Sequence, residues 1–153
     1  MSAPERVGVV GSRNYQDLLA VRRFVQNLPP GTVVVSGGAR GVDMAAEDAA
    51  RGVGLPEPDI RRPSKHVIDT LGFGAAAHAR NKSIALSCDR LVAFLGPCEK
   101  CKPGDGPYGR SHCPYLGWSH GASSTVHYAD EIGKPILIFY SDGTSQELNT
   151  DND

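Results

Sequence analysis

Apolar and polar residues fall along this chain in blocks with two different periods. Two short β-branched runs, Arg6–Ser12 (RVGVVGS) and Thr32–Ser36 (TVVVS), lead into glycine turns, the pattern of strands covered on both faces. Within Tyr15–Asn27 and just beyond it, Leu18, Leu19, Val21, Val25 and Leu28 recur at helical spacing until a Pro-Pro-Gly stop. A second helix is predicted over the alanine-rich Val42–Arg51, ended by Gly-Val-Gly, and a third around Ala75–Ser87, with Ala76, Ala79, Ile84 and Leu86 partly on one face. Asp89–Gly96 (DRLVAFLG) and Lys134–Tyr140 (KPILIFY) read as further strands, and a fourth helix starts near Gly121 with Val126 and Ala129 turned inward. The proline-bearing Leu55–Asp69 (LPEPDIRRPSKHVID) has room for one more short strand.

Strands alternating with helices predict parallel βαβ units with right-handed crossovers. The expectation is an α/β fold: a doubly wound, mainly parallel sheet of about five strands with helices on both faces. One domain, residues 1–142, holds these elements; residues 97–120 form a Cys-rich insertion, and the polar, acidic residues 143–153 a flexible tail. In such sheets ligands bind outside the carboxyl ends of the strands.

Composition narrows the partners. A chain of 153 residues suits a single core, and its 18 glycines and 11 prolines gather at the ends of apolar runs, as turns do. The formal net charge of −1 provides no global field for nucleic acid or an anionic membrane surface. No run approaches the roughly 20 apolar residues of a membrane span, and no signal-peptide core precedes the first strand. A cytoplasmic protein without a membrane partner is expected.

Two glycine turns occupy the strand ends: Gly11-Ser12-Arg13-Asn14-Tyr15 after the first strand and Ser36-Gly37-Gly38-Ala39-Arg40-Gly41-Val42-Asp43 after the second. Glycine lets backbone amides approach an anion without a Cβ in the way, and the following helix adds its dipole. Ser12 and Ser36 offer hydroxyls, and Arg13 or Arg40 a charge-assisted bond. Asp43 falls in the first turn of its helix, where a carboxylate meets free amides or accepts from ribose hydroxyls. Ala79-Arg80-Asn81 lies mid-helix and, on composition alone, reads as a solvated face.

Of the four cysteines, Cys88 reads as a small buried hydrophobe, whereas Cys98, Cys101 and Cys113 share one Gly/Pro-rich stretch. Cys98-x-x-Cys101 has the spacing that lets two thiolates reach one tetrahedral zinc ion. Cys113 is the third candidate ligand, with His112 or His120 as the fourth. His112 is preferred because a compact knuckle closes within the insertion. The metal would be structural and would hold Tyr108, Tyr115 and Trp118 over the strand ends, where an aromatic ring can stack on a base. No redox cofactor is expected, since proline and glycine, not a thioredoxin-like helix, follow the Cys-x-x-Cys pair.

The ordered set GSRNY, SGGARGVD, ARN and DRLVAFLG resembles the SLOG superfamily, in particular its small YspA-like members, over most of Val7–Tyr140. The superfamily includes the LOG cytokinin-activating enzymes, the DNA-processing protein DprA and molybdenum-cofactor carriers. The resemblance implies a Rossmann-like fold and a nucleotide or nucleotide-derived ligand. It maps phosphate-binding turns onto Gly11, Ser12, Arg13, Ser36, Gly37 and Gly38, and it brings Arg80, with Asn81 beside it, to the site. LOG enzymes carry PGGxGTxxE after the fourth strand, and the corresponding turn here is Ser119–Asp130 (SHGASSTVHYAD). No carboxylate lies between Gly121 and Tyr128, and a hydroxyl cannot replace the catalytic Glu. The small Gly121-Ala122-Ser123-Ser124 turn retains the capacity to hold phosphate at a helix N-terminus.

The sequence therefore points to a nucleotide-binding sensor or carrier, with a homodimer compatible with the resemblance. A LOG-like phosphoribohydrolase, or another nucleotide-processing hydrolase, is the alternative. DprA-like binding of single-stranded DNA comes next, disfavoured by the neutral net charge and the lack of a basic, aromatic-lined stripe.

Overall fold

A computed structural model of the chain describes residues 3–98 and 118–150. The strands are β1 (Arg6–Gly11), β2 (Val33–Ser36), β3 (Asp59–Ile60), β4 (Arg90–Leu95), β5 (Ile136–Tyr140) and β6 (Ser145–Leu148). The helices are α1 (Leu18–Gln26), α2 (Val42–Gly52), α3 (Lys65–Leu71), α4 (Phe73–Ser87) and α5 (His120–Glu131). The strands make one six-stranded sheet in the order β3-β2-β1-β4-β5-β6, parallel except for β6, which runs antiparallel to β5.

The period of two along each central strand divides its side chains between two apolar layers. Val7 and Val9 of β1, Val34 of β2, and Val92 and Phe94 of β4 face the layer covered by α1 and α2. Val10, Val35, Leu91, Ala93 and Leu95 face the opposite layer, covered by α4 and α5 with Ile84, Ala85 and Ala129. Phe94 anchors the first layer: it stacks on Phe139 at 5.2 Å and meets Tyr15 edge-on at 5.5 Å. Small residues allow the close approach of sheet and helices. A Cβ added at Gly11 would lie 2.5 Å from a Val42 methyl, so β1 and α2 pack together only because Gly11 has none.

The parallel α/β architecture matches the expectation, with two additions. Ser145–Leu148, read from sequence as flexible tail, adds a sixth strand by pairing with Ile136–Phe139. Lys65–Leu71 forms α3, which starts just beyond the last of its prolines, with Ser64 Oγ accepting from Val67 N at 3.4 Å. Cys88 caps the end of α4 as a buried thiol, its pKa raised chiefly by burial. Among the described residues no helix is long and apolar enough to cross a membrane.

The chain leaves β1 for β2 and β3 on one side, then returns through α3 and α4 to β4 on the other side of β1. The strand order thus reverses between β1 and β4. Crossovers diverge there, and a crevice opens at the carboxyl ends of the strands.

Candidate functional site

A cavity of about 300 Å³ lies at that reversal, between the ends of β1 and β4, the start of α2 and the facing sides of α4 and α5. The first glycine turn forms its floor. Ser12 N donates to Phe94 O at 3.0 Å, and Ser12 Oγ accepts from Gly96 N at 2.7 Å, so this buried hydroxyl ties the β1 turn to the end of β4. Asn14 Nδ2 donates to Pro97 O at 3.0 Å, while its buried Oδ1 has no partner in the structure.

The second glycine turn holds the charged groups. Arg80, half-buried on α4, donates from Nη1 to Gly37 O at 2.9 Å and from Nε to Asn81 Oδ1 at 2.9 Å. Burial lowers its pKa first; Asp43 opposes that shift and the Arg13 charge adds to it. Asp43 is buried, and its Oδ2 accepts from Ala39 N at 3.2 Å. Its Oδ1 is buried without a partner. Loss of hydration pushes the Asp43 carboxyl up to about 6, against the lowering effects of the Ala39 amide and of Arg80. Arg80 and Asp43 converge on Gly37: a Cβ there would lie 2.6 Å from Arg80 Nη1 and 2.9 Å from Asp43 Oδ2.

The third wall is the start of α5. Its cap residue Ser119 makes no side-chain capping bond, and His120, Gly121 and Ala122 line the cavity. The opening turn of a helix has amides without intrahelical acceptors and carries partial positive charge. Asn81 fixes this end: its Nδ2 donates to Gly121 O at 3.3 Å and to Ser124 Oγ at 3.2 Å. No carboxylate stands in the first two turns of α5.

Of the residues anticipated from sequence, Gly11, Ser12, Arg13 and Asp43 line the cavity, as do Arg80, Asn81, Gly121 and Ala122. The others stand behind its walls. Ser36 is fully buried and donates to Glu47 Oε2, while Gly37 and Gly38 shape the turn, Gly38 at φ +73°. Ser123 and Ser124 point into the packing of α5, Ser124 as the acceptor from Asn81. Trp118 packs against Tyr140, ring centroids 4.5 Å apart and planes tilted by 39°, and against the second core layer; it does not line the cavity. Among the described residues, the exposed aromatic ring lining the cavity is Phe73, at the start of α4. Its only trace in the sequence is a large apolar residue between two glycines. Asn14, Thr125 and His120 also line the cavity; the long-range packing that brings them there leaves no local pattern.

Cys98 is buried beside the cavity, with its Sγ 3.3 Å from His120 Nε2. Cys101, His112 and Cys113 lie outside the described residues, as do Tyr108 and Tyr115. Among the described residues no three His, Cys, Asp or Glu side chains gather as a metal set.

The family model for DNA recombination-mediator protein A matches residues 1–56, the segment from β1 through α2 that carries both glycine turns. Curated proteins give no match. Among solved structures, DNA processing protein A (DprA) from Streptococcus pneumoniae superposes with a TM-score of 0.62 at 22% identity, over 88% of this chain and 50% of that one. The chain thus spans about half the length of that relative. The superposition shows a shared Rossmann-like fold, and the likeness to the family model is confined to the segment that carries the two glycine turns.

Proposed function

We propose that the cavity between β1 and β4 binds a nucleotide or nucleotide-derived small molecule through its phosphate. The observation that carries this reading is the half-buried Arg80 guanidinium, pinned by Gly37 O and Asn81 Oδ1 across the cavity from the opening turn of α5. A pre-oriented guanidinium facing a helix N-terminus suits a phosphate, with Arg13 as a second, exposed cation. The cavity volume is at the lower end for small-molecule sites, enough for one nucleotide-sized ligand, and the exposed Phe73 ring at the rim suits a base. With no carboxylate in the first turns of α5, retention of the ligand is supported better than LOG-type cleavage.

Calorimetric titration with AMP, ADP-ribose and inorganic phosphate tests this reading. Binding of a nucleotide with micromolar affinity, weakened about 100-fold or more in Arg80→Ala, is expected for a buried charge-assisted contact. No heat and no thermal stabilisation with any of the three would overturn it.

A DprA-like role on a DNA strand is the second reading. Two observations favour it: the family match over residues 1–56, and the arginines carried by successive strand-end turns, Arg13 after β1, Arg40 after β2 and Arg62 after β3. All three are exposed at the same end of the sheet.

A further inference from the structure

On the face of the sheet that α1 and α2 cover, the helical layer stops short. These two helices pack on each other over β1 and β2, α3 packs on α4, and α4 and α5 cover the opposite face. Among the described residues, no helix therefore lies over β5 on the α1 side. Phe24 of α1, Phe94 of β4 and Phe139 of β5 meet there, with ring centroids 6.2, 6.3 and 5.2 Å apart, and Phe24 and Phe139 stay partly exposed. The three rings floor a groove of about 500 Å³, lined also by Arg23 and Asn27 near the end of α1 and by Arg90 at the start of β4. It shares no lining residue with the cavity between β1 and β4. We propose that this groove is a second binding site, which takes a planar aromatic carboxylate.

The walls specify both a ring and a charge. Rings from three different elements offer a flat ligand offset and edge-to-face contacts, which contribute beyond the area they bury. The groove volume lies within the range of small-molecule sites. The two guanidinium groups set the sign of the ligand. Arg23 is exposed and makes no ion pair or side-chain hydrogen bond among the described residues. Arg90, half-buried, commits its Nε to Glu5 at 3.2 Å, which leaves the Nη donors of its fork. Glu5 thus offsets only one of the two charges. A carboxylate matches the planar fork of an arginine. A phosphate dianion is the poorer occupant, because a more strongly hydrated charge loses more beside an apolar, aromatic floor. The proposal is independent of which ligand the cavity between β1 and β4 takes.

Calorimetric titration of the chain with 2-naphthoate tests the proposal. One equivalent should bind, and 2-naphthalenemethanol, with the same rings and no charge, should bind about 10-fold more weakly or not at all. Arg23→Ala should weaken naphthoate about 10-fold and leave the fold intact, since the Arg23 side chain holds no other residue. Arg23→Lys keeps the positive charge at the end of α1 but not the fork, and should recover only part of the loss. Phe139→Leu keeps an apolar floor without the ring and should also weaken binding; if it fails to fold, the Arg23 variants carry the test. Absence of binding overturns the proposal, as does equal binding of the alcohol, which would reduce the groove to an apolar patch. Binding that Arg23→Ala leaves intact and Arg80→Ala removes would put the anion in the cavity between β1 and β4, and also overturns it. A dimer in sedimentation that Arg23→Glu dissolves and naphthoate does not would assign the face to a second copy of the chain, with the same consequence.

Discussion

Asp43 is the residue whose environment departs furthest from what its position in the chain implies. In the first turn of a helix a carboxylate meets unsatisfied amides and is usually content ionised. Here Oδ2 has the Ala39 amide at 3.2 Å, but Oδ1 is buried with no partner and the carboxyl is pushed from its ordinary 3.8 up to about 6. Between those two values the folded chain keeps a proton that the unfolded chain has released. The contribution of Asp43 to stability is therefore highest below about pH 4 and is lost as pH rises through about 6. Asp43→Asn removes the charge but keeps the shape. Urea denaturation should find this variant more stable than the wild type at pH 7, by up to about 3 kcal/mol for a shift of about two units, less whatever the lost charge gave Arg80. At pH 4 the two proteins should nearly coincide. Equal destabilisation at both pH values would mean that the carboxylate is satisfied in the fold. Protonated Asp43 is also the better neighbour for a bound phosphate, because it can donate a hydrogen bond in place of adding a second negative charge.

The turn between β2 and α2 acts as a unit through what it does not contain. Gly37 lets Arg80 Nη1 and Asp43 Oδ2 approach its Cα closely enough that a Cβ would meet both, at 2.6 and 2.9 Å. The first of these is the end of a long, flexible side chain, which can move away at modest cost. Gly37→Ala is therefore expected to lower stability by only about 1 kcal/mol, yet to displace Arg80 from Gly37 O. Nucleotide affinity should then fall toward that of Arg80→Ala, a split that calorimetry and denaturation read separately; equal losses in both would make the turn merely structural. The glycines of this turn were legible in the sequence as a strand-end turn, but their surroundings differ from those expected of it. Ser36 points inward to Glu47, and Gly37 gives its carbonyl to an arginine 43 residues away. Helices α1 and α2 were visible because each buries a face whose spacing the sequence carries; α4 was located but its inner face was not, since of Ala76, Ala79, Ile84 and Leu86 only Ala76 and Ile84 are buried, beside Asn81 and Ala85, and Leu86 is exposed. α3 is a seven-residue helix that buries none of its residues, too short for its Val67, Ile68 and Leu71 spacing to stand out, and β6 is polar and largely exposed, with no apolar alternation to detect. β6 exists because β5 offers it an edge, and a pairing between distant segments leaves no local pattern.

Fold and charge together give one bound nucleotide and a strand of nucleic acid different experimental signatures. The sheet order was inferable only as a class, since helical and strand periods fix alternation but not which neighbour each strand takes. The order β3-β2-β1-β4 aligns the turns carrying Arg62, Arg40 and Arg13 along one end of the sheet, with the cavity at the β1 end of that line. Parallel strands about 4.8 Å apart place exposed guanidinium groups on successive turns, within the reach of a few successive phosphates. The net charge of −1 means that any grip on a strand must come from this row and not from the surface at large. Each phosphate neutralised on a single strand contributes a slope of about −0.7 to log affinity against log salt. Fluorescence anisotropy with a labelled oligodeoxynucleotide should give a slope near −2 if the row is used. Arg40→Ala and Arg62→Ala should each flatten it by about 0.7 and leave mononucleotide affinity unchanged, because neither residue lines the cavity. Arg80→Ala should weaken mononucleotide binding about 100-fold or more and spare most of the strand's salt dependence, since its guanidinium is half-buried and committed to Gly37. A steeper slope that neither arginine changes would place a strand elsewhere on the surface; the absence of strand binding with nucleotide binding intact would assign the cavity to a free small molecule.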